Sequence, residues 1–597
     1  MGDSEPGRPV RAASAGDGRR QRRLLGIGAA SLAFVLALRF AVVSPAGATW
    51  FVSHLGYWTT LVAFAIFGWF VVRWWRAARV DWRRHALGGL AVLLGTVVLQ
   101  VGEPHRLRVM YDEYTLLTTS LDMHRARSAA TVSYALSDGR GGLQYLDPYV
   151  EKRQLLFPFL LSLVHDVSGY RPANALVLNA LVGIAFLGAA YWAGCVVGGT
   201  GVGVLGVLLA AGLPLAAQSA TGGGYDLLSV TLVLLLFVQT VRYQRAPSGE
   251  DAELLVAIFI LAAQVRDESM LLGLLVAAAI GWGWWRTRRV TMSWYLALSP
   301  LLLLTPLLIN LVFLSTPAFF ENVAHGVDTF GAAYFRRNLV AACDYLYNWD
   351  GQMTNSPFLS WLGTAALLGG VVAAGRRFRT AVRAGDPLLV LAGFAGFGVG
   401  VFGLVLFYFW GQLTDPVAAR LGFPLQAVFL LAILCLAARG AAGRWPLRVA
   451  QAAAALVLVA YAVPVNARHA ATDSIALSRE AEWAVDYARR HTDPATLFVA
   501  RSALPFICNG RPAILADFLA QAPAYFDSLC DNPAYREVLV LEVYRRDPAT
   551  NGWVPLHAEL TRHFARRGMA LEPVAEQVFQ AGYESRLSRL VRRPAAP

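Results

Sequence analysis

Apolar residues in this chain come in blocks of about twenty, the length that carries a helix across a bilayer core. That grouping restricts the fold more than any other feature of the sequence. Of 597 residues, 56% are hydrophobic and 15% charged, whereas an ordinary soluble domain carries roughly a quarter charged residues. The excess excludes a disordered chain, and the blocks exclude one soluble globule. Residues 1–23 are polar, read as a disordered cytoplasmic tail, and end in Arg19, Arg20, Arg22 and Arg23 before an apolar run from Leu24 to Val43. Ala46-Gly47-Ala48 has the small-residue pattern of a signal-peptide cleavage site. The length of the run suits a retained signal anchor better.

Further apolar segments fall at about 55–75, 86–101, 173–194, 201–220, 226–243, 252–265, 268–285, 293–315, 358–374, 387–410, 416–437 and 449–465. With the first they predict about thirteen spans, in an all-α polytopic membrane domain over 24–465. Segments 86–101 and 252–265 are short for a span. The stretch 154–166 contains Pro158, His165 and Asp166 and reads as an interfacial or re-entrant helix. With the N-terminus in the cytoplasm, the cytoplasmic segments hold 23 Arg, and the opposite-side segments before residue 466 hold 11 basic residues, 8 of them in the loop 102–172. This is the positive-inside pattern. The net charge of +13 is therefore a topology signal, and it does not describe a basic face for nucleic acid. Arg39 and Arg420 stand apart from these clusters, within or at the edge of spans.

Thirteen spans leave residues 466–597 outside, where the composition turns mixed and polar. Helical spacing over Ser474–Arg490 and strand-like runs at 495–500, 511–515 and 538–544 predict a separate extracytoplasmic α/β domain. Cys508 and Cys530 both fall in it, and an oxidising compartment would permit a bridge between them. Two small buried thiols are the alternative.

Chemistry is expected where polar groups cluster at span ends, since charge near the membrane is expensive. In loop 102–172, Asp112-Glu113 forms an adjacent carboxylate pair flanked by aromatics, and Glu151-Lys152-Arg153 precedes the apolar 154–166 stretch. Adjacent carboxylates lie about a hundred degrees apart on a helix, so one can face a reaction while the other holds structure or metal. Lys and Arg beside an interfacial helix suit a lipid phosphate, or simply snorkel. Asp226 opens a span after Gly222-Gly223-Gly224, and Arg266-Asp267-Glu268 forms a charged turn. A second outside loop, 316–357, carries His325, Asp328, Tyr334, Arg336, Arg337, Asp344 and Asp350. Its length suggests a binding lid.

In combination these features resemble the membrane-embedded glycosyltransferases of the GT-C class, in particular the protein mannosyltransferase and aminoarabinose transferase branch. Asp112-Glu113 is similar to that family's acidic pair. Glu151-Lys152 followed by Phe157-Pro158-Phe159-Leu160 and Gly169 resembles its segment leading into the next span, and Asp226 its acidic residue at a later span's outer end. Here two apolar spans precede the one leading to Asp112-Glu113, and Arg153-Gln154 stands where a proline pair is more usual. The resemblance implies transfer of a sugar from a polyprenyl-phosphate donor to a lipid, protein or glycan acceptor at the outer face of the plasma (inner) membrane. It further implies Asp112, with Glu113, in the catalytic role. Glu151, Lys152, Arg153, Asp226 and Arg266 would serve the donor and its phosphate. A divalent cation stays open as cofactor, with Glu113 and Asp226 as its ligands if one is used. The competing reading is a transporter or flippase of lipid-linked sugars, which calls for charge at mid-membrane depth.

Overall fold

The computed structural model describes residues 15–77, 81–316, 328–376, 386–440, 444–472, 476–547, 552–556, 558–580 and 582–592. Among them ten helices are long and apolar enough to cross a membrane, or eleven if one bent pair counts as a single span. This is a multi-pass membrane protein, and the ten or eleven such helices among the described residues do not by themselves establish the thirteen spans expected. The segment 201–220 breaks into Thr200–Ala211 and Pro214–Ala220 at an angle of 76°. The break comes because Pro214 at the second helix's first turn cannot donate backward. The segment expected at 252–265 is a helix of only 15 residues, Gly249–Ala263, cut short by a Ser248 cap and the charged turn that follows. The segment at 358–374 is apolar only over Pro357–Ala373.

Other boundaries move as well. The first helix begins at Ala15, so residues 15–23 of the expected disordered tail are helical. There the Gln21 side chain accepts from the Met292 amide. The second helix runs Pro45–Ala77, 33 residues.

Ion pairs mark the two ends of the bundle. Arg73 pairs with Glu250 and Glu253, Arg242 with Asp251 and Arg439 with Asp386 at one end. Asp226 meets Arg266 and Arg420 at the other. The helix Asp226–Arg245 has both kinds of pair, one at each terminus, and is the most enclosed of the spans. Backbones approach closely where glycines face each other. A Cβ on Gly194 would lie 2.4 Å from the Val202 carbonyl oxygen, and one on Gly206 would lie 2.6 Å from that of Ala190. Only glycine permits the contact of Asn174–Gly198 with Thr200–Ala211.

The loop 102–172 is mostly ordered structure. It holds the helix Met110–Ala126, the antiparallel strands β1 (Thr131–Ser137) and β2 (Leu143–Tyr149), and the apolar helix Leu156–Ser168 packed beneath the first. The terminal region adds β3 (Thr496–Ala500), β4 (Ala513–Leu515), β5 (Glu537–Arg546), β6 (Trp553–Pro555), β7 (Met569–Gln580) and β8 (Tyr583–Arg592). All eight form one sheet, in the order β2-β1-β4-β3-β5-β8-β7 with β6 on β5. Residues 466–597, expected as a separate domain, thus share their sheet with the loop 102–172. The loop hairpin completes their sheet through Ala135 opposite Ala513, because an uncovered edge of β4 would otherwise leave backbone groups unpaired.

Both faces of the sheet are covered. Phe498, Ala500, Ala513, Leu539 and Leu587 join the core that continues into the membrane bundle. Leu497, Val499, Ile514, Val538 and Val540 face the other way, against Phe526, Leu529, Leu560 and Phe564. The alternation follows the two-residue period of a strand. It also separates the cysteines. Cys508 packs on the membrane-side core and Cys530 on the opposite one, and both are free. The expected bridge is corrected to two buried thiols.

Candidate functional site

Asp112 and Glu113 stand in the first turn of Met110–Ala126, where exposed backbone N–H groups favour negative charge. Their divergence on the helix sends them to different partners. Arg153 donates to Asp112 Oδ1 at 2.5 Å, and Arg420 donates to Oδ2. Burial works to raise the pKa of Asp112, but the two guanidinium groups overrule it and hold the carboxyl well below the usual carboxylate range.

Glu113 lies away from this pair of arginines. Its carboxylate accepts from the backbone N–H of Arg108 at 2.5 Å and of Gly223 at 3.0 Å. Burial pushes its pKa up to about 7 against the pull of those amides. Asn179 completes the hold on the glycine loop by donating to the carbonyls of Gly222 and Gly224 at 2.8 and 2.7 Å. Gly222–Gly224 is therefore a clamped turn between helices, with its chain direction set by Glu113 and Asn179. Glu113, expected beside Asp112 in the catalytic role, thus has its oxygens on backbone donors and outside the arginine pair that holds Asp112.

Asp226 begins the central helix and accepts from Arg266 Nη1 at 2.8 Å, with Arg420 Nη1 at 3.7 Å. Arg266 also reaches Glu268 at 2.7 Å through Nε. Tyr225 lies between two guanidinium groups, Arg153 at 6.0 Å and Arg266 at 5.7 Å from its ring centre. Gln154 Nε2 donates to Asp267 at 2.5 Å, tying the loop end to the charged turn.

A cavity of about 450 Å³ opens over this network. Lys152, Arg153, Arg266 and Arg420 supply its cationic side, while Phe313, Val401, Leu404, Val405, Trp410 and Leu421 form apolar walls. Part of the second loop closes one side. The Gly331 amide donates to the Phe407 carbonyl at 2.9 Å and Phe409 to Thr329 at 3.0 Å, so Thr329 and Phe330 line the cavity.

Of the seven residues expected to act, Asp112, Lys152, Arg153, Asp226 and Arg266 converge. Glu113 sits behind them, and Glu151 is turned to the phenol of Tyr149, which hydrogen-bonds it. In the second loop His325 lies outside the described residues. Tyr334 donates to the Asp328 carbonyl, Arg337 to that of Phe409, and Asp344 and Asp350 accept from Asn348. Arg420, read in the sequence only as a charge at the edge of a span, joins the network unassigned, though a lone Arg at the head of an apolar span was its signal.

The carboxylates proposed for a cation do not suit one. Glu113 is committed to amides, and Asp226 to arginines, so a metal would have to displace four donors. Among the described residues no group of three or more His, Cys, Asp or Glu is placed to hold a metal ion.

No protein-family model matches the chain, and no curated protein does. Solved structures do match, and they establish the architecture: this membrane protein has the GT-C fold. It is similar to ArnT from Cupriavidus metallidurans bound to undecaprenyl phosphate, at 14% identity and a TM-score of 0.51 over 85% of this chain and 98% of that one. The apo form of the same ArnT gives 14% identity and a TM-score of 0.50 over 84% and 97%. The Archaeoglobus fulgidus oligosaccharyltransferase in complex with Zn and sulfate follows at 12% identity and 0.46, over 82% and 79%.

Proposed function

We propose that the chain is a glycosyltransferase that moves a hexose or pentose from a polyprenyl-phosphate carrier to a hydroxyl-bearing acceptor at the outer face of the plasma membrane. The observation that carries this reading is the convergence of Lys152, Arg153, Arg266 and Arg420 on an apolar-walled cavity, with Asp112 paired to two of those arginines. A prenyl chain suits the walls and a phosphate suits the cations. The ArnT structure, of the same fold, is described with undecaprenyl phosphate bound, which supports a lipid-phosphate donor.

In the resting site Asp112 is a weak base, because two arginines hold its charge. An arriving donor phosphate competes for those arginines. As Arg153 and Arg420 turn to the phosphate, Asp112 loses its counter-charges, its proton affinity rises, and it can take the proton from the acceptor hydroxyl. The hydroxyl oxygen then bonds to the anomeric carbon as the carbon–oxygen bond to phosphate breaks. The leaving phosphate keeps the electron pair and is stabilised by the same cations, so no strong general acid is needed. Asp226 and Glu268 keep Arg266 aimed at this position. The gathering of ion pairs at the ends of the bundle, where a flippase calls for charge at mid-membrane depth, supports transfer.

The test is to supply purified polyprenyl-phosphate sugars one at a time to membranes holding the protein and to identify the labelled acceptor. Transfer from at least one carrier, abolished in Asp112→Asn at normal expression, is expected. Transfer unchanged in that variant would remove Asp112 from the role.

A further inference from the structure

The terminal sheet contains a second cavity, of about 440 Å³, remote in sequence and in elements from the donor site. Its position follows from topology. β3 runs parallel to β4 on one side and to β5 on the other, so the β3–β4 connection goes to one side of β3 and the β4–β5 connection crosses to the other. A crevice forms at the carboxyl ends of strands where this occurs, and α/β sheets bind ligands there. β5 extends beyond β3: its pairing with β3 ends at Val540 and that with β6 begins at Tyr544. The interval Leu541–Val543 forms one wall of the cavity. Arg501, just after β3, Asp517, just after β4, and the helix Ala558–Arg566 provide the others.

The lining has a definite chemistry. Arg501 and Arg566 come from two different elements; Arg501 also interacts electrostatically with Glu480 outside this lining, and neither has a salt bridge within 4.0 Å to a described residue. The carboxylates are mostly engaged. Glu542 accepts from Tyr544 and Thr561, at 3.1 and 3.3 Å, and Glu559 pairs with Arg562 at 3.6 Å. Asp517 remains as a hydrogen-bond acceptor on the rim, and Leu519, Leu541 and Leu560 give an apolar surface. Two guanidinium groups without a close ion pair suit an anion, an acceptor carboxylate suits hydroxyl groups, and the leucines suit the C–H face of a pyranose. The volume lies in the range of small-ligand pockets, about 300–1,000 Å³.

We propose that this crevice is a binding site for an acidic sugar, one whose carboxylate or phosphate is held between Arg501 and Arg566. It is independent of the transfer reaction proposed above. The test uses the full-length protein in detergent, carrying Asp112→Asn so that no turnover interferes, and measures heats of binding for glucuronate, glucose 6-phosphate, glucose and inorganic phosphate. At least one acidic sugar should bind tenfold or more tighter than both glucose and inorganic phosphate. The preferred one reveals whether the anion is carboxylate or phosphate. Arg501→Ala with Arg566→Ala should weaken it by tenfold or more, and Leu519→Trp, which fills the cavity, should do the same. Lys152→Ala in the donor site should leave it within twofold. Absent binding, equal binding of glucose or of phosphate alone, or loss in Lys152→Ala instead, would overturn the proposal. None of these outcomes bears on the Asp112 assay.

Discussion

At the scale of single residues, the adjacent pair Asp112-Glu113 divides its labour as helix geometry requires, one carboxylate facing arginines and the other facing amides. Asp112→Asn should reduce transfer by about a hundredfold or more, in keeping with loss of a general base, while the protein still accumulates in membranes. A radiolabel transfer assay on equal amounts of protein checks it. Arg420→Ala leaves Asp112 with one arginine and removes a phosphate ligand, so it should raise the donor KM as well as lower kcat; a change in acceptor KM alone would argue against this placement. Glu113 gives a pH prediction. Its folded value of about 7 lies above the unfolded carboxylate value of about 4.3, so folding favours the protonated form. That contribution is fully present below about pH 4 and is lost as pH rises through 7. The thermal midpoint of the native protein should therefore fall between pH 5 and pH 8 relative to Glu113→Gln, which lacks the titration.

At the scale of elements, close helix contact sets the bundle. Gly194→Ala would drive its Cβ into the Val202 carbonyl oxygen and Gly203 Cα, at 2.4 and 2.6 Å. Both obstructing atoms are backbone, so the helices themselves must separate. A cost of about 1–3 kcal/mol is expected, visible as a lowered midpoint in thermal unfolding of the solubilised protein. Gly223→Ala meets only the tip of Leu107 at 2.4 Å and otherwise ordinary contacts with Glu113. A rotamer change of Leu107 relieves it, so this neighbouring substitution should cost less. The contrast between the two is the measurement.

At the scale of the whole molecule, the terminal region depends on the membrane part. β1 and β2 complete its sheet, Ser478 donates to the Arg108 carbonyl at 2.5 Å, Tyr535 accepts from the Ser137 amide at 3.0 Å, and its inner face shares the bundle's core. Residues 466–597 expressed alone should lack a cooperative thermal transition by circular dichroism. Addition of 102–172 to the same chain is not expected to restore one, since the membrane helices beneath would still be missing. Hydropathy by itself determined the class of protein, the approximate place of the helices and the orientation-giving asymmetry of arginine, because membrane insertion reads local composition. Charges at span ends, which need a reason to be there, drew attention to Asp112, Lys152, Arg153, Asp226 and Arg266. What only the tertiary structure decided was which charges meet. Arg420 lies 308 residues from Asp112, the hairpin 131–149 joins strands nearly four hundred residues on, and Cys508 and Cys530 point to opposite faces of one sheet. Pairings of that range depend on how helices pack and on which sheet edge is open, and neither is written in any local stretch of residues.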